Sequence, residues 1–480
     1  MISALRGQRV NQLHQCAVVS VKLIIGASSQ TWQILAGKPR ASSSKADPIT
    51  LNLSGRRGVA VTFWACLRRN AILPSRTHNL KNARRVYAAY FFGSRSLLKP
   101  EMNIAVLKEE LPGEARVALM PDSVKTLLSA GVKVSVESQA GLAAARTDAD
   151  YADAGAEVST DRKAMLAATD VLVTVNRPSP DVFAALKTGA VMLGFLRPLD
   201  EPRALEPALT HGLTTFAMEL VPRITRAQSM DALSSMATVA GYKAVLLAAS
   251  SIPKMFPLLM TAAGTVPPAK VLVLGAGVAG LQAIATARRL GGVVEAYDVR
   301  AAAGEQVRSL GATFLEVDLG GLKTEDAGGY AVELSEEALQ RGRDLIAEHA
   351  KTADVIITTA QVPGRRAPLL VTEAAVNQMR PGAVIVDLAG ATGGNCALSQ
   401  ADQVVERTGV TILAPTNLAA TVPVHASQLY SRNVTAFLKL LIKDGELNID
   451  LKDDVVGPSC VTHGGEFVNQ RVAAAVGAGV

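Results

Sequence analysis

The chain has 480 residues, of which 49% are hydrophobic and 19% charged. That balance excludes a disordered or coiled-coil protein and leaves room for two or three domains of ~100 to 200 residues each. The net charge of +7 would suggest nucleic acid or an anionic membrane as partner if it were evenly spread. Residues 1–101 hold 16 Lys and Arg against Asp47 and Glu101, a net of +14, whereas the other 379 residues carry 33 basic and 40 acidic side chains, a net of −7. The body is acidic, so no nucleic-acid partner is expected.

In chain order, the basic leader 1–101 comes first. It holds both tryptophans, Trp32 and Trp64, Arg pairs and a Ser-rich patch at Ala41 to Lys45. It reads as a disordered segment or as sequence upstream of the native start, with Met102 opening a clean strand pattern; a transit peptide or a basic arm are the alternatives. Four cysteines (Cys16, Cys66, Cys396, Cys460) have no metal-type spacing and are too sparse for a disulfide framework. No run reaches the ~18 uninterrupted apolar residues that would span a bilayer. His211, His349, His425 and His463 share no ligand spacing, so no metal site is expected.

From Met102 onward, strand-length apolar runs alternate with helical patterns, the signature of parallel sheets with crossover helices. Strands are predicted at Asn103 to Leu107, Lys133 to Glu137, Val171 to Val175, Val191 to Leu196 and Thr214 to Ala217. A long helix follows at about Met230 to Ser250, Ala- and Leu-rich enough to be buried or to span two domains. A second series reads Lys270 to Leu274, Val293 to Asp298, Asp354 to Thr358, Ala383 to Asp387 and Thr411 to Leu413. Linker signals fall at Thr261 to Pro268 and Ala419 to Pro423, and a last helix at Ala426 to Ile442 returns toward the first series. The expectation is an α/β protein of two Rossmann-like doubly wound domains with parallel sheets and a cleft between them. Residues 102–233 plus 425–480 form the first and 234–424 the second.

Two segments carry chemistry. In Lys270-Val-Leu-Val-Leu-Gly275-Ala276-Gly277-Val278-Ala-Gly280, a GxGxxG leaves an apolar strand and enters a helix. Gly275 permits the tight turn, Gly277 lets backbone approach a pyrophosphate, and Gly280 lets helix pack on strand. The helix N-terminus offers N–H groups and positive dipole to phosphates. Asp298 ends the next strand 18 residues after Gly280, placed to accept from ribose hydroxyls and to repel a 2′-phosphate. That favours NAD over NADP, with Arg300 a countervailing sign. The second segment, Val221 to Ser235, clusters Arg223, Gln228, Asp231 and Ser234 between a strand and the long helix. Pattern alone leaves two readings: a helix cap through Ser229 or Asp231, or the lining of a cleft.

Pro222 to Ser235, Thr261 to Pro268, Gly275 to Gly280, Gly328-Gly-Tyr330, Thr358-Thr-Ala360 with Pro363-Gly364, and Val386-Asp-Leu388 with Gly393-Gly-Asn-Cys396 together resemble the NAD(H)-binding alpha component of proton-translocating NAD(P) transhydrogenase. The resemblance runs from about Met102 to about Asn469. It implies that the loop with Arg223, Ile224, Thr225, Gln228, Ser229, Met230, Asp231 and Ser234 contacts the nicotinamide half of NAD(H), Gln228 bridging toward a second nucleotide. It implies pyrophosphate and ribose contacts at Ala276 to Val278 and at Asp298, Val299 and Arg300, a closing loop at Gly329 and Tyr330, and a contact at Gln361. Gln361 stands where the family usually carries Leu, and Thr416 to Thr421 also departs from the family pattern.

The same resemblance implies NADP(H) on a partner. The partners would be a membrane-spanning second alpha polypeptide and an NADP(H)-binding beta subunit, with a homodimer of this chain docking at the cytoplasmic face of the inner membrane. The rival is alanine dehydrogenase, whose opening resembles Met102 to Glu109 through Arg116-Val-Ala. The positions that match its catalytic Lys and His are Asn176 and Arg197, and its usual Asp is Ala391. Amine oxidation needs proton transfer, whereas hydride passing between two nicotinamide rings needs chiefly positioning.

Overall fold

The computed structural model describes residues 101–317, 335–361 and 364–477, together with the backbone of four strands in the leader, at Ala17–Ile25, Ser28–Ala36, Ile49–Leu51 and Val61–Phe63. The expected closing loop at Gly329 and Tyr330 lies outside the described residues. The chain divides into two units, Met1–Leu97 and Leu98–Val480. In the first, Ala17–Ile25 and Ser28–Ala36 pair as an antiparallel hairpin.

The second unit is α/β and contains two large sheets. The first uses β1 (Asn103–Val106), β2 (Lys133–Glu137), β3 (Glu157–Ser159), β4 (Val171–Asn176), β5 (Val191–Phe195) and β6 (Thr214–Ala217), all parallel, in the order β6-β5-β4-β1-β2-β3. The second uses β7 (Lys270–Leu274), β8 (Val293–Tyr297), β9 (Thr313–Leu315), β10 (Val355–Thr358), β11 (Val384–Asp387), β12 (Val404–Arg407) and β13 (Val410–Leu413), in the order β9-β8-β7-β10-β11-β13-β12. Only β12 runs antiparallel there, an edge strand blunted by Glu406 and Arg407. β14 (Cys460–His463) and β15 (Glu466–Phe467) extend the first sheet antiparallel beyond β6, so the end of the chain returns to the sheet with which the body begins.

Why these runs are apolar on both sides follows from where their side chains go. Along β1, Ile104 and Val106 enter one core while Ala105 and Leu107 enter another; along β7, Val271 and Val273 part from Leu272 and Leu274 in the same way. A parallel sheet covered by helices on both faces gives no polar side to alternate toward.

Helix α1 (Ala232–Ser251) joins the two halves. Ala232, Met236 and Val239 pack in the core of the first sheet, and Ala244, Val245 and Ala248 in that of the second. It is long and apolar enough by length and composition to cross a bilayer. Here its residues serve two cores instead, which is why it is apolar nearly all round. Helix α2 (Val278–Arg289) follows β7, helix α3 (Glu336–Ala350) precedes β10, and helix α4 (Pro423–Leu441) returns from the second sheet to pack Ala426, Tyr430, Val434 and Phe437 in the first core. The predicted linker at Thr261 to Pro268 instead contains half of an antiparallel hairpin, Leu259–Thr261 with Gly264–Val266. Its residues are all exposed, so no burial pattern marks it in the sequence.

Candidate functional site

Strand order reverses between β7 and β10 in the second sheet, and ligands of such sheets bind beyond the carboxyl ends of the strands at that point. The glycine turn sits there. Gly275 has φ +97°, the left-handed region that glycine enters freely, and a Cβ on it would fall 2.6 Å from Thr359 Oγ1, which donates to the Gly275 carbonyl. A Cβ on Gly280 would stand 1.8 Å from the Gly275 oxygen, so α2 approaches the turn only because that position is bare. A Cβ on Gly277 would meet no atom within 4 Å, so open space faces the N-terminus of α2. Two glycines close the turn and the third leaves room for an anion on the helix N–H groups.

Asp298 is drawn into the same corner. Its Oδ2 accepts from the Ala276 N–H at 2.7 Å and from Arg300 Nη2 at 2.9 Å, and its Oδ1 accepts from the backbone N–H and Nε of Arg300, both at 2.9 Å. The predicted turn and acid are therefore in direct contact, with Val299 and Arg300 beside them. Gln361, exposed at the end of β10, donates from Nε2 to the Leu388 carbonyl at 2.6 Å, spanning the ends of β10 and β11. Below it the buried Asp387 accepts from Thr358, Ala389, Asn395, Cys396 and Ser399, which fixes the Gly393-Gly394 turn. Burial pushes the Cys396 thiol up to about 11, away from nucleophilic use.

The polar loop is built on the N-terminus of α1. Asp231 caps that helix, its carboxylate accepting from the Ser234 N–H at 2.8 Å and from Ser234 Oγ at 2.6 Å. Asp231 and Ser234 thus make a cap, the first of the two readings, while Arg223, Ile224, Thr225, Gln228 and Ser229 are left exposed on the loop and Met230 is buried beneath it. Ten residues along α1, a Cβ on Gly241 would stand 2.1 Å from the Ala279 carbonyl oxygen. One helix therefore carries the loop at its start and abuts the first turn of α2 at its middle.

A third cluster, not foreseen from the sequence, lies at the carboxyl ends of β1 and β4, the point of reversal in the first sheet. Arg116 donates from Nε and Nη2 to Glu114 at 2.7 and 2.6 Å, and Asn176 and Asn417 add amide donors to the same carboxylate at 2.9 and 3.0 Å. Burial alone would raise Glu114, but these donors and the guanidinium charge hold it down at about 2. Glu109 accepts from Val175 N–H, Asn176 N–H and Asn176 Nδ2. Its burial outweighs them, and the nearby Glu114 charge adds to the effect, so the carboxyl is pushed up to about 7. Glu219, wholly buried near the loop, is also pushed up to about 7 by burial. The sequence signal was only an acid beside each strand end, with nothing to separate a buried acid from a surface one. Of the rival's positions, Asn176 is bound between Glu109 and Glu114, Arg197 pairs with Asp200 and Glu201, and Ala391 lies in a short turn.

Two doubly wound sheets, one with an open glycine turn at its point of reversal, define a dinucleotide-binding protein of the dehydrogenase type. Residues 105–240 match the description "Alanine dehydrogenase/PNT, N-terminal domain" and residues 244–470 "Alanine dehydrogenase/PNT, C-terminal domain", and the chain belongs to this family. It is 46% identical over 376 residues to the first polypeptide of the split NAD(P) transhydrogenase alpha subunit of Rhodospirillum rubrum, covering 77% of this chain and 98% of that one. It is 32% identical to alanine dehydrogenase of Bacillus subtilis, covering 70% and 84% of the two chains. Among solved structures, a transhydrogenase from Sinorhizobium meliloti superposes with a TM-score of 0.70 at 45% identity, covering 76% of this chain and 99% of that one. The resemblance read from the motifs is therefore upheld, and within the family the chain is a transhydrogenase-type oxidoreductase, with alanine dehydrogenase the more distant relation.

Proposed function

We propose that this chain is the NAD(H)-binding subunit of a proton-translocating NAD(P) transhydrogenase. It presents NADH for direct hydride transfer to NADP+ held on a partner subunit. The observation that carries the reading is the pairing, along one helix, of an open phosphate turn at Gly275–Gly280 with an exposed polar loop at 223–231. The turn and the α2 N-terminus would hold the pyrophosphate, Asp298 and Arg300 the adenosine ribose, and Arg223 with Gln228 the nicotinamide end. Gln228 reaches outward toward the second nucleotide. When bound, the dinucleotide supplies the hydride, and the chain supplies binding, orientation and exclusion of water. Such positioning is worth ~7 to 11 kcal/mol without a general acid or base. The substitution of Asn176, Arg197 and Ala391 at the rival's proton-transfer positions favours this reading over amine oxidation.

A membrane-spanning second alpha polypeptide and an NADP(H)-binding beta subunit are the proposed partners, with docking at the cytoplasmic face and proton movement in the partners. A homodimer is proposed as well, supported by the exposed apolar residues Leu258, Leu259, Met260 and Val266 on and beside the hairpin that follows α1. The test mixes this chain with membranes carrying the candidate partner subunits and follows NADH-dependent reduction of an NADP+ analogue. Reduction that requires the chain upholds the reading. Turnover of alanine with NAD by the chain alone, without such reduction, sinks it.

A further inference from the structure

The loop at 223–231 has few internal means of holding its shape. It is a single 3-10 stretch, Thr225–Met230, whose outward residues are exposed, and a short stretch of this kind is weak by itself. Two attachments to distant parts of the chain hold it. On one side Arg226 forms ion pairs with Asp453 and Asp454, beyond α4 in sequence. Asp453 is itself fixed, its Oδ1 accepting from the N–H groups of Val455 and Val456 at 2.8 and 3.0 Å. On the other side Asn433, buried on α4, donates from Nδ2 to the Ser229 carbonyl at 2.8 Å, while its Oδ1 has no partner among the described residues. A buried amide with half its bonding capacity unused costs stability, so what it contributes at this position is the one bond it makes to the loop.

We propose that Arg226, Asp453, Asp454 and Asn433 are positioning residues that clamp the loop from both sides and so set where Arg223 and Gln228 stand. The clamp grips Arg226 and Ser229, which bracket Gln228 in sequence, and Asp231 secures the loop's far end as the cap of α1. The inference rests on the proposed role of that loop in hydride transfer, because geometry this far from a reacting atom matters only where alignment limits the rate.

The test uses the full chain with its membrane partners and the variants Asn433→Ala, Asn433→Gln, Arg226→Gln, and Asp453→Asn with Asp454→Asn. Amide hydrogen exchange over residues 223–235 is expected to quicken at least about 10-fold in each, with the rest of the body unchanged. The rate of NADH-dependent reduction is expected to fall roughly 10- to 100-fold while the Kd for NADH moves less than about 2-fold. Arg226→Gln combined with the double Asp variant should lose no more than either alone, and Arg226→Lys should recover some of the rate. Unchanged exchange in the loop overturns the clamp, as does a loss of rate that follows a general loss of protection or of NADH binding. Quickened exchange in a system whose wild-type chain supports no reduction keeps the clamp and refutes the transhydrogenase role instead.

Discussion

The two sheets share one topology and treat their points of strand reversal in opposite ways. In the second sheet, the reversal between β7 and β10 is lined by backbone: Gly277 faces open space, and the α2 N-terminus points into it. In the first, the reversal between β1 and β4 is filled by side chains, with Glu109, Glu114, Arg116 and Asn176 bound to one another. A phosphate is attracted to the former and would meet carboxylates in the latter. Fold alone does not make a nucleotide site; bare glycine and open helix N–H groups do.

That contrast can be broken from either end. The largest effect is expected from Gly280→Val, which drives a branched side chain into the Gly275 carbonyl only 1.8 Å from the ideal Cβ position. NADH binding should fall by more than about 100-fold and the chain should be destabilised by several kcal/mol, read by fluorescence titration and by urea unfolding. Next, Glu114→Ala strands the buried guanidinium of Arg116 and should cost about 3 kcal/mol, while NADH affinity in the correctly folded fraction stays as it was. A parallel loss of NADH affinity there would show that the first sheet's cluster takes part in binding after all.

The cluster also predicts a pH dependence. Glu109 and Glu219 have carboxyls raised to about 7 in the folded state, so the native chain binds more protons than the unfolded one between about pH 4.5 and 7. Stability from these groups is therefore present at low pH and lost as pH rises through 7. Glu114, held at about 2, acts in the other direction, contributing above about pH 4.5 and losing that contribution as pH falls toward 2. Urea midpoints should drop between pH 5 and pH 8, and Glu109→Gln should shrink that drop by on the order of 1 to 3 kcal/mol; an undiminished drop would remove Glu109 from the account. The smallest effect concerns selectivity. NADH should bind more tightly than NADPH by about 10-fold, and Asp298→Asn should narrow the gap; equal affinities in the wild-type chain would take from Asp298 the role of excluding a 2′-phosphate.

How much of this was legible follows from which residues announce themselves. Strands covered on both faces did so, because an uninterrupted β-branched run such as Val171 to Val175 is at home only in a buried strand, and Lys133–Glu137, Thr214–Ala217 and Lys270–Leu274 fall where the pattern put them. The three-residue strands at Glu157–Ser159 and Thr313–Leu315, and the edge strand at Val404–Arg407, were illegible, being too short or too exposed to show a period. The glycine turn was readable because its spacing is dictated by the sterics of one turn. The acid cluster at Glu109 and Glu114 was not, since its partners Asn176 and Asn417 come from positions 62 and 303 residues away. Local geometry writes itself into adjacent residues, and desolvation does not.

Helix α1 has one further consequence. Its contact with Ala279 at Gly241 leaves no room to slide, and the ten residues from Asp231 to Gly241 fix about 15 Å between the polar loop and the start of α2. The helix is thus a ruler. A ligand that reaches only the glycine turn leaves Arg223 and Gln228 unused, and one that reaches only the loop leaves the phosphate corner empty. Length, before any individual hydrogen bond, separates a dinucleotide from its halves.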